Sequence, residues 1–231
     1  MRKYLKGILA ACLVILGLAG LMAGLEEYAK SSIRVSVKDE ALHLFDERTN
    51  GNDEITYEVP SGGFLAVYGD GDDTEWNLIG DWVQIASYQN GADREMATIH
   101  LEGIIEIPCL DIEEPVWKEN SSVAMRYGVI RMRYTAGLQE PGNSVIVGHR
   151  NTVSSTIFYN LTDIRVNDRA IIKTPDGKRH EYRVSNTYYC SPYELQDYVG
   201  SSDVNAKQIT LVTCARERGN CWRFIVVLVP V

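Results

Sequence analysis

Three side chains of complementary chemistry stand at the ends of apolar runs in the C-terminal half of this sequence. Cys214 closes the run Thr210-Leu-Val-Thr-Cys214, and His149 follows Ser144-Val-Ile-Val-Gly148. Arg223 opens the last run, which continues to Val229. A thiolate is a nucleophile, and a guanidinium beside it favours the ionised form and can donate hydrogen bonds to a developing oxyanion. An imidazole nearby supplies the proton that a leaving amine requires. Spacing alone also fits a core cysteine, a surface arginine and a structural histidine. The chemistry needs the strand ends to meet.

The elements that would bring them together are short β-type runs split by turn residues from Ile99 onward. Eight residues, Ala215 to Trp222, separate Cys214 from Arg223, and an antiparallel hairpin of that loop length returns Arg223 to the side of Cys214. Further strands are predicted at Ile104–Ile107, Ser144–Val147 and Gln208–Thr213. Two more, Arg169–Thr174 and Arg179–Tyr189, flank the hairpin turn Pro175-Asp176-Gly177-Lys178. Gln208–Thr213 and Trp222–Val229 are apolar on both faces, as in a closed or covered sheet. Brief helical signals lie at Ser121–Tyr127, Ser155–Leu161 and Pro192–Tyr198, so the expected fold is mainly β, a mixed barrel with short helices in its connections.

Ahead of this domain (99–231) the chain divides in two. Arg2, Lys3 and Lys6 precede an apolar run from Gly7 to Leu25, which Glu26 and Glu27 close. Its length is at the lower end for a spanning helix, and the flanking charges put the N-terminus inside. Residues 1–25 are therefore expected to be an uncleaved transmembrane signal anchor, with a cleaved signal peptide as the alternative. Residues 26–98 are acidic and turn-rich, with a ragged helical stripe to Leu44, and are expected to form a stalk or lid. The loop Asp70-Gly-Asp-Asp-Thr-Glu75 lacks the spacing of a calcium loop. Trp76 and Trp82 are expected to pack this stretch onto the barrel.

Composition narrows the chemistry. The formal net charge of −8, without a Lys/Arg cluster, disfavours a nucleic-acid role. The five cysteines (Cys12, Cys109, Cys190, Cys214, Cys221) include no C-x-x-C, and the four histidines are scattered, so a structural zinc site is not expected. Cys109 and Cys190 read as core residues. Cys221 either packs or forms a disulfide that silences the nucleophile.

Taken in order, these motifs resemble the sortase family. Ile107-Pro108-Cys-Leu-Asp-Ile-Glu-Glu-Pro115-Val116 is similar to the opening of its barrel, and Pro141-Gly-Asn-Ser-Val-Ile-Val-Gly-His149-Arg to its histidine strand. Phe158-Tyr-Asn-Leu161-Thr-Asp-Ile164 with Asn167-Asp168 resembles the segment that follows. Thr210-Leu-Val-Thr-Cys214 and Arg223 stand where the family has its cysteine and arginine.

The resemblance implies an eight-stranded closed β-barrel, held outside the membrane of a Gram-positive bacterium as a single-pass protein. It implies a cysteine transpeptidase that cuts a surface protein's sorting signal, commonly Leu-Pro-X-Thr-Gly, after the threonine. Cys214 would form the thioester, protonated His149 would donate to the leaving amine, and Arg223 would bind substrate carbonyls and the oxyanion. An amine of a cell-wall precursor, or a pilin lysine, would release the acyl group. Thr213 is expected beside the substrate threonine. Tyr188 and Tyr193, in the stretch Thr187–Lys207, are expected to wall the groove. The chemistry requires no metal or organic cofactor.

The sequence departs from pilin-polymerising members, which carry a C-terminal membrane helix and an Asp-Pro-aromatic lid. Here the chain ends at Val231, and the pre-barrel aromatics Trp76 and Trp82 have no proline beside them. Val212 stands where the iron-acquisition type has serine. A single-anchor wall-attachment enzyme is thus the expected type, with a pilin polymerase, a hydrolytic cysteine protease and an inactive β-barrel binding domain as the alternatives.

Overall fold

The computed structural model describes residues 2–48, 55–60, 96–119, 121–150, 157–200, 205–215, 218 and 222–231. Nine strands are present among them. They are β1 (Ile55–Pro60), β2 (Met96–Ile107), β3 (Ile112–Trp117), β4 (Val129–Arg131), β5 (Gly142–Val147), β6 (Arg169–Lys173), β7 (Arg179–Cys190), β8 (Lys207–Cys214) and β9 (Arg223–Pro230). They lie in the order β1-β2-β3-β4-β5-β8-β9-β7-β6, and a further β2–β6 pairing closes the sheet. Strands β2 to β9 are the eight staves of the barrel. The ninth, β1, was not expected. It pairs antiparallel with β2, Ile55 opposite Leu101, while Leu101 faces Trp117 of β3 across its other edge. So β1 continues the β2 edge that β6 occupies further along. Its proline ends an edge strand, where a missing amide proton disturbs the ladder least.

The runs that are apolar on both faces became the middle of the sheet. All six residues of β5 are buried, as are the last six of β8, and the two strands pair in parallel from Gly142–Lys207 to Val147–Val212. Alternation along β8 and β9 sorts their side chains between two clusters. Ile209, Leu211, Phe224, Val226 and Leu228 fill the interior with Phe158, Leu161 and Ile172. Val212, Cys214 and Ile225 face outward, into a second cluster with Val145, Val147, Cys190, Trp117 and Tyr57. The predicted hairpin turn joins β6 to β7, with Gly177 at φ 79°, a conformation that favours glycine.

The outer cluster is covered by helices. The first, α1 (Arg2–Arg48), is one continuous 47-residue helix, about 70 Å long at 1.5 Å per residue. Its C-terminal part docks on the barrel. Ala41 and Phe45 are buried, and Arg34 Nη2 and Lys38 Nζ reach Glu114 Oε1 at 2.9 and 3.0 Å. The second helix, α2 (Ser122–Tyr127), is capped by the Ser121 hydroxyl, which accepts from the Ala124 amide. The third, α3 (Leu195–Val199), follows a 3-10 turn at Pro192–Glu194, whose start is closed by reciprocal Ser191 and Glu194 hydrogen bonds.

Two expectations are revised here. Of the stretch 26–98, the described parts that pack on the barrel are the C-terminal part of α1 and the strand β1. The Asp70–Glu75 loop, Trp76 and Trp82 lie outside the described residues. The helix expected at Ser155–Leu161 is absent over its described part, 157–160, which is a turn leading into a 3-10 segment, Leu161–Asp163. Ile157, Phe158 and Leu161 are all buried there, so the chain folds over a strand end instead of presenting one apolar face. Cys109 is exposed on the 3-10 turn Pro108–Leu110, not in the core, whereas Cys190 is buried as expected. Among the described residues no helix is long and apolar enough to cross a membrane. The described part of the expected span, Leu13 to Leu25, lies exposed along α1, and the side chains of residues 7–11 are outside the description.

Candidate active site

The last hairpin forms as the loop length requires. Cys214 and Arg223 are direct partners across the β8–β9 ladder, and so project from the same face of the sheet. One rung further, the Ala215 amide donates to the Trp222 carbonyl at 2.8 Å, closing the base of the connecting loop. Arg223 is wholly buried and Cys214 is 5% exposed. Guanidinium burial is costly without polar partners. One Arg223 hydrogen bond goes from Nη1 to the Trp222 carbonyl at 3.3 Å.

His149 arrives on the neighbouring strand. Its approach is set by β5 running parallel to β8: Val147 pairs with Val212, and the Gly148 amide donates to the Val212 carbonyl at 3.2 Å. Thr213 Oγ1 then donates to the Gly148 carbonyl at 2.8 Å. Continued by two residues, this register brings His149 level with Cys214. Gly148 must be glycine for contact reasons. A Cβ there would stand 2.8 Å from Phe158 Cδ2 and 2.9 Å from Val129 Cγ1, inside van der Waals distance. The Phe158 amide in turn donates to the His149 carbonyl at 2.9 Å, fixing the backbone on the far side. His149 itself is 8% exposed.

The same row holds a further thiol. Cys190, the last residue of β7, pairs with Arg223 on its other edge, so Cys190, Arg223, Cys214 and His149 follow one another across four adjacent strand ends. Cys190 is buried, and that burial, aided by Glu194 and opposed by Arg223, pushes its thiol up to about 11. It is a neutral neighbour of the guanidinium at ordinary pH. The sequence placed it in the core; only the β7–β9 register shows how near the row it stands.

The remaining predicted residues separate. Thr213 is wholly buried on the interior side of β8, and its hydroxyl braces the end of β5. Tyr188 pairs with Ile225, two residues along from Arg223 on the outward face, and its ring meets that of Tyr198 at 5.1 Å. Tyr193 lies 87% exposed on the 3-10 turn that begins the β7–β8 connection. Cys221 lies outside the described residues, and with it the question of a disulfide. Among the described residues no group of three or more metal-ligating side chains comes together.

A thiol, a buried guanidinium and an imidazole thus stand on adjoining strand ends of a closed barrel, the side-chain types that thiol-based acyl transfer uses. The sortase-domain family profile matches residues 105–231, more than half of the chain, and the chain belongs to the sortase family. Among solved structures it is similar to sortase C1 of group B Streptococcus pilus island 1, at 24% identity and a TM-score of 0.51, over 56% of this chain and 63% of that one. The match thus spans less than two thirds of that relative. It is also similar to sortase C-1 from Actinomyces oris, at 24% identity and a TM-score of 0.52 over 56% of this chain and 72% of that one. A Clostridium perfringens sortase D5 transpeptidase matches at 24% identity and a TM-score of 0.51, over 57% of this chain and 79% of that one. At these identities the likeness is one of fold. No curated protein matches the sequence.

Proposed function

We propose that this chain is a cysteine transpeptidase that cleaves a sorting signal of the Leu-Pro-X-Thr-Gly kind after its threonine and passes the acyl group to an amine. The observation that supports it most is the direct pairing of Cys214 with Arg223, with Gly148 tied to both Val212 and Thr213 so that His149 reaches the same level. In the first half-reaction the Cys214 thiolate attacks the threonine carbonyl. Arg223 donates to the oxygen that gains charge, and the C–N bond breaks as His149 protonates the departing amine. In the second, the acceptor amine attacks the thioester, His149 takes its proton, and Cys214 leaves as thiolate. Transfer without net hydrolysis asks that water be held back, which suits a thiol buried at 95%.

The proposal extends to location. The apolar run from Gly7 to Leu25 would anchor the chain in the cell membrane with the barrel outside, and α1 runs without a break from that run to the barrel wall. The acceptor is a cell-wall precursor amine, with a pilin lysine as the competing acceptor.

The test is product analysis of a fluorogenic Leu-Pro-X-Thr-Gly peptide incubated with the full chain, with and without added oligoglycine or a lysine-bearing pilin peptide. An amide product carrying the added amine is expected, together with loss of all turnover in Cys214→Ala. Hydrolysis alone would identify a protease. A Cys214 that fails to react with a thiol reagent at neutral pH would identify an inactive barrel.

A further inference from the structure

The outward face that carries Cys214 is bounded on one side by the connection between β7 and β8. Its described part, residues 191–200, leaves the row of strand ends at Cys190, turns through Pro192–Glu194 and runs along α3. Leu195 and Val199 are buried against the cluster that contains Cys190, Cys214 and Ile225, and Tyr198 stacks on Tyr188. A segment of ten residues with one turn of 3-10 helix and little more than one turn of α-helix has no rigidity of its own. Its place is set by what holds its two ends.

The end nearer the site is held by the Ser191–Glu194 box, next to Cys190. The other end is held by one side chain from β5. Asn143 Nδ2 donates to the Val199 carbonyl at 2.9 Å, satisfying one of the orphan carbonyls with which a helix ends. The other half of the same amide, Oδ1, accepts from Thr210 Oγ1 at 2.9 Å, and Thr210 Oγ1 accepts from Gln208 Nε2 at 3.2 Å. Asn143 and Thr210 are 4% and 0% exposed, so these bonds have no competition from bulk water. A planar amide with a donor on one side and an acceptor on the other joins the sheet to the wall. Neither an aspartate nor a leucine of similar volume can do both.

We infer that Asn143 is a positioning residue for peptide recognition: through Val199 it fixes the wall of residues 191–200 against β5 and β8, and so sets the width of the groove leading to Cys214. The inference rests on the transpeptidase function proposed above. Asn143 lies six residues before His149 on its strand, too far along to touch the reacting atoms, so its effect falls on binding and not on the thiol.

The experiment compares Asn143→Asp and Thr210→Val with the wild-type full chain, using a sorting-signal peptide and an oligoglycine acceptor. Asn143→Asp keeps the acceptor for Thr210 and loses the donor for Val199. Its KM for the peptide is expected to rise about tenfold, the effect of losing one buried hydrogen bond, with kcat within about twofold. Thr210→Val, which spares the Val199 bond, is expected to raise KM by about threefold or less. Two readouts separate positioning from general damage. Alkylation of Cys214 by iodoacetamide, followed by mass spectrometry, is expected to keep its wild-type rate in both variants. Amide hydrogen exchange is expected to speed up over residues 192–200 in Asn143→Asp and to stay unchanged in β5 and β8. An unchanged KM, unchanged exchange in the wall, or a parallel fall of kcat and alkylation rate would overturn the inference. A wild-type chain that transfers no peptide would overturn it together with the proposed function, a result already visible before any variant is compared.

Discussion

Strand β8 belongs to two regions at once, and they are built by different rules. Its inward residues, Ile209 and Leu211, enter an interior drawn from the barrel's own strands and the segment after His149, and sealed by the barrel's closure. Its outward residues, Val212 and Cys214, enter a layer completed by pieces added outside the eight staves: Ala41 and Phe45 of α1, Tyr57 of β1, Leu195 and Val199 of α3. The interior needs only volume and apolarity. Buried polar and charged groups accompany this layer: Arg223, His149, the Asn143 amide that reaches α3, and Glu114 with its ion pairs to α1.

The largest effects should separate these regions cleanly. Arg223→Ala is expected to cut kcat for peptide transfer by about a thousandfold, as loss of an oxyanion donor does, while the thermal midpoint moves little. Leu211→Ala, one face away on the same sheet, is expected to cost about 3 kcal/mol of unfolding free energy and leave kcat per folded molecule nearly unchanged. Urea titration and steady-state kinetics on both variants check the contrast, and equal damage to both quantities in both variants would erase it.

Gly148→Ala tests the place where the two regions touch. The added methyl would press on Phe158 and Val129 from the interior side. It is expected to destabilise the fold by about 2 kcal/mol and, by displacing His149, to lower kcat about tenfold or more. A loss of stability without a loss of rate would mean that His149 does not depend on the packing beneath it.

A smaller effect is expected at the cover. Glu114 is buried between Arg34 and Lys38, and Glu114→Gln leaves those two cations without their counter-charge. Docking of α1 is expected to weaken by about 2 kcal/mol, read as faster proteolysis within residues 33–48 while exchange in β8 and β9 stays slow.

The smallest effect belongs to Cys190, and it is confined to alkaline pH. Its thiol is raised in the fold from 9.0 to about 11, so the folded chain holds that proton more tightly than the unfolded one. The contribution is complete below about pH 9 and is lost as pH rises through 11, at most about 2 kcal/mol. Cys190→Ala is expected to flatten the stability profile over that window and to leave transfer at pH 7 intact.

The residues of the candidate site were more legible in the sequence than the elements around them. His149, Cys214 and Arg223 could be named because each ends a run apolar on both faces, and a strand buried on both sides has few reasons to finish in a titratable residue. The hairpin that pairs Cys214 with Arg223 followed from loop length. By contrast, β1 was hidden in an acidic stretch, since six alternating residues on a sheet edge give a weak periodic signal. The bond from the Thr213 hydroxyl to the Gly148 carbonyl, made where the alternation of β8 turns Thr213 to the interior, was not legible either, since it joins two strands.

By itself, then, the order of residues determined which side chains could react and that their strands would be buried, because nucleophilicity and two-faced hydrophobicity are local properties. Tertiary structure alone decided that β5 lies parallel beside β8, that Cys190 stands across Arg223, and that Asn143 reaches the end of α3. Those contacts join positions 33 to 65 residues apart. They are fixed by closure of the barrel and by the need of buried polar groups for partners, which no single stretch of sequence contains.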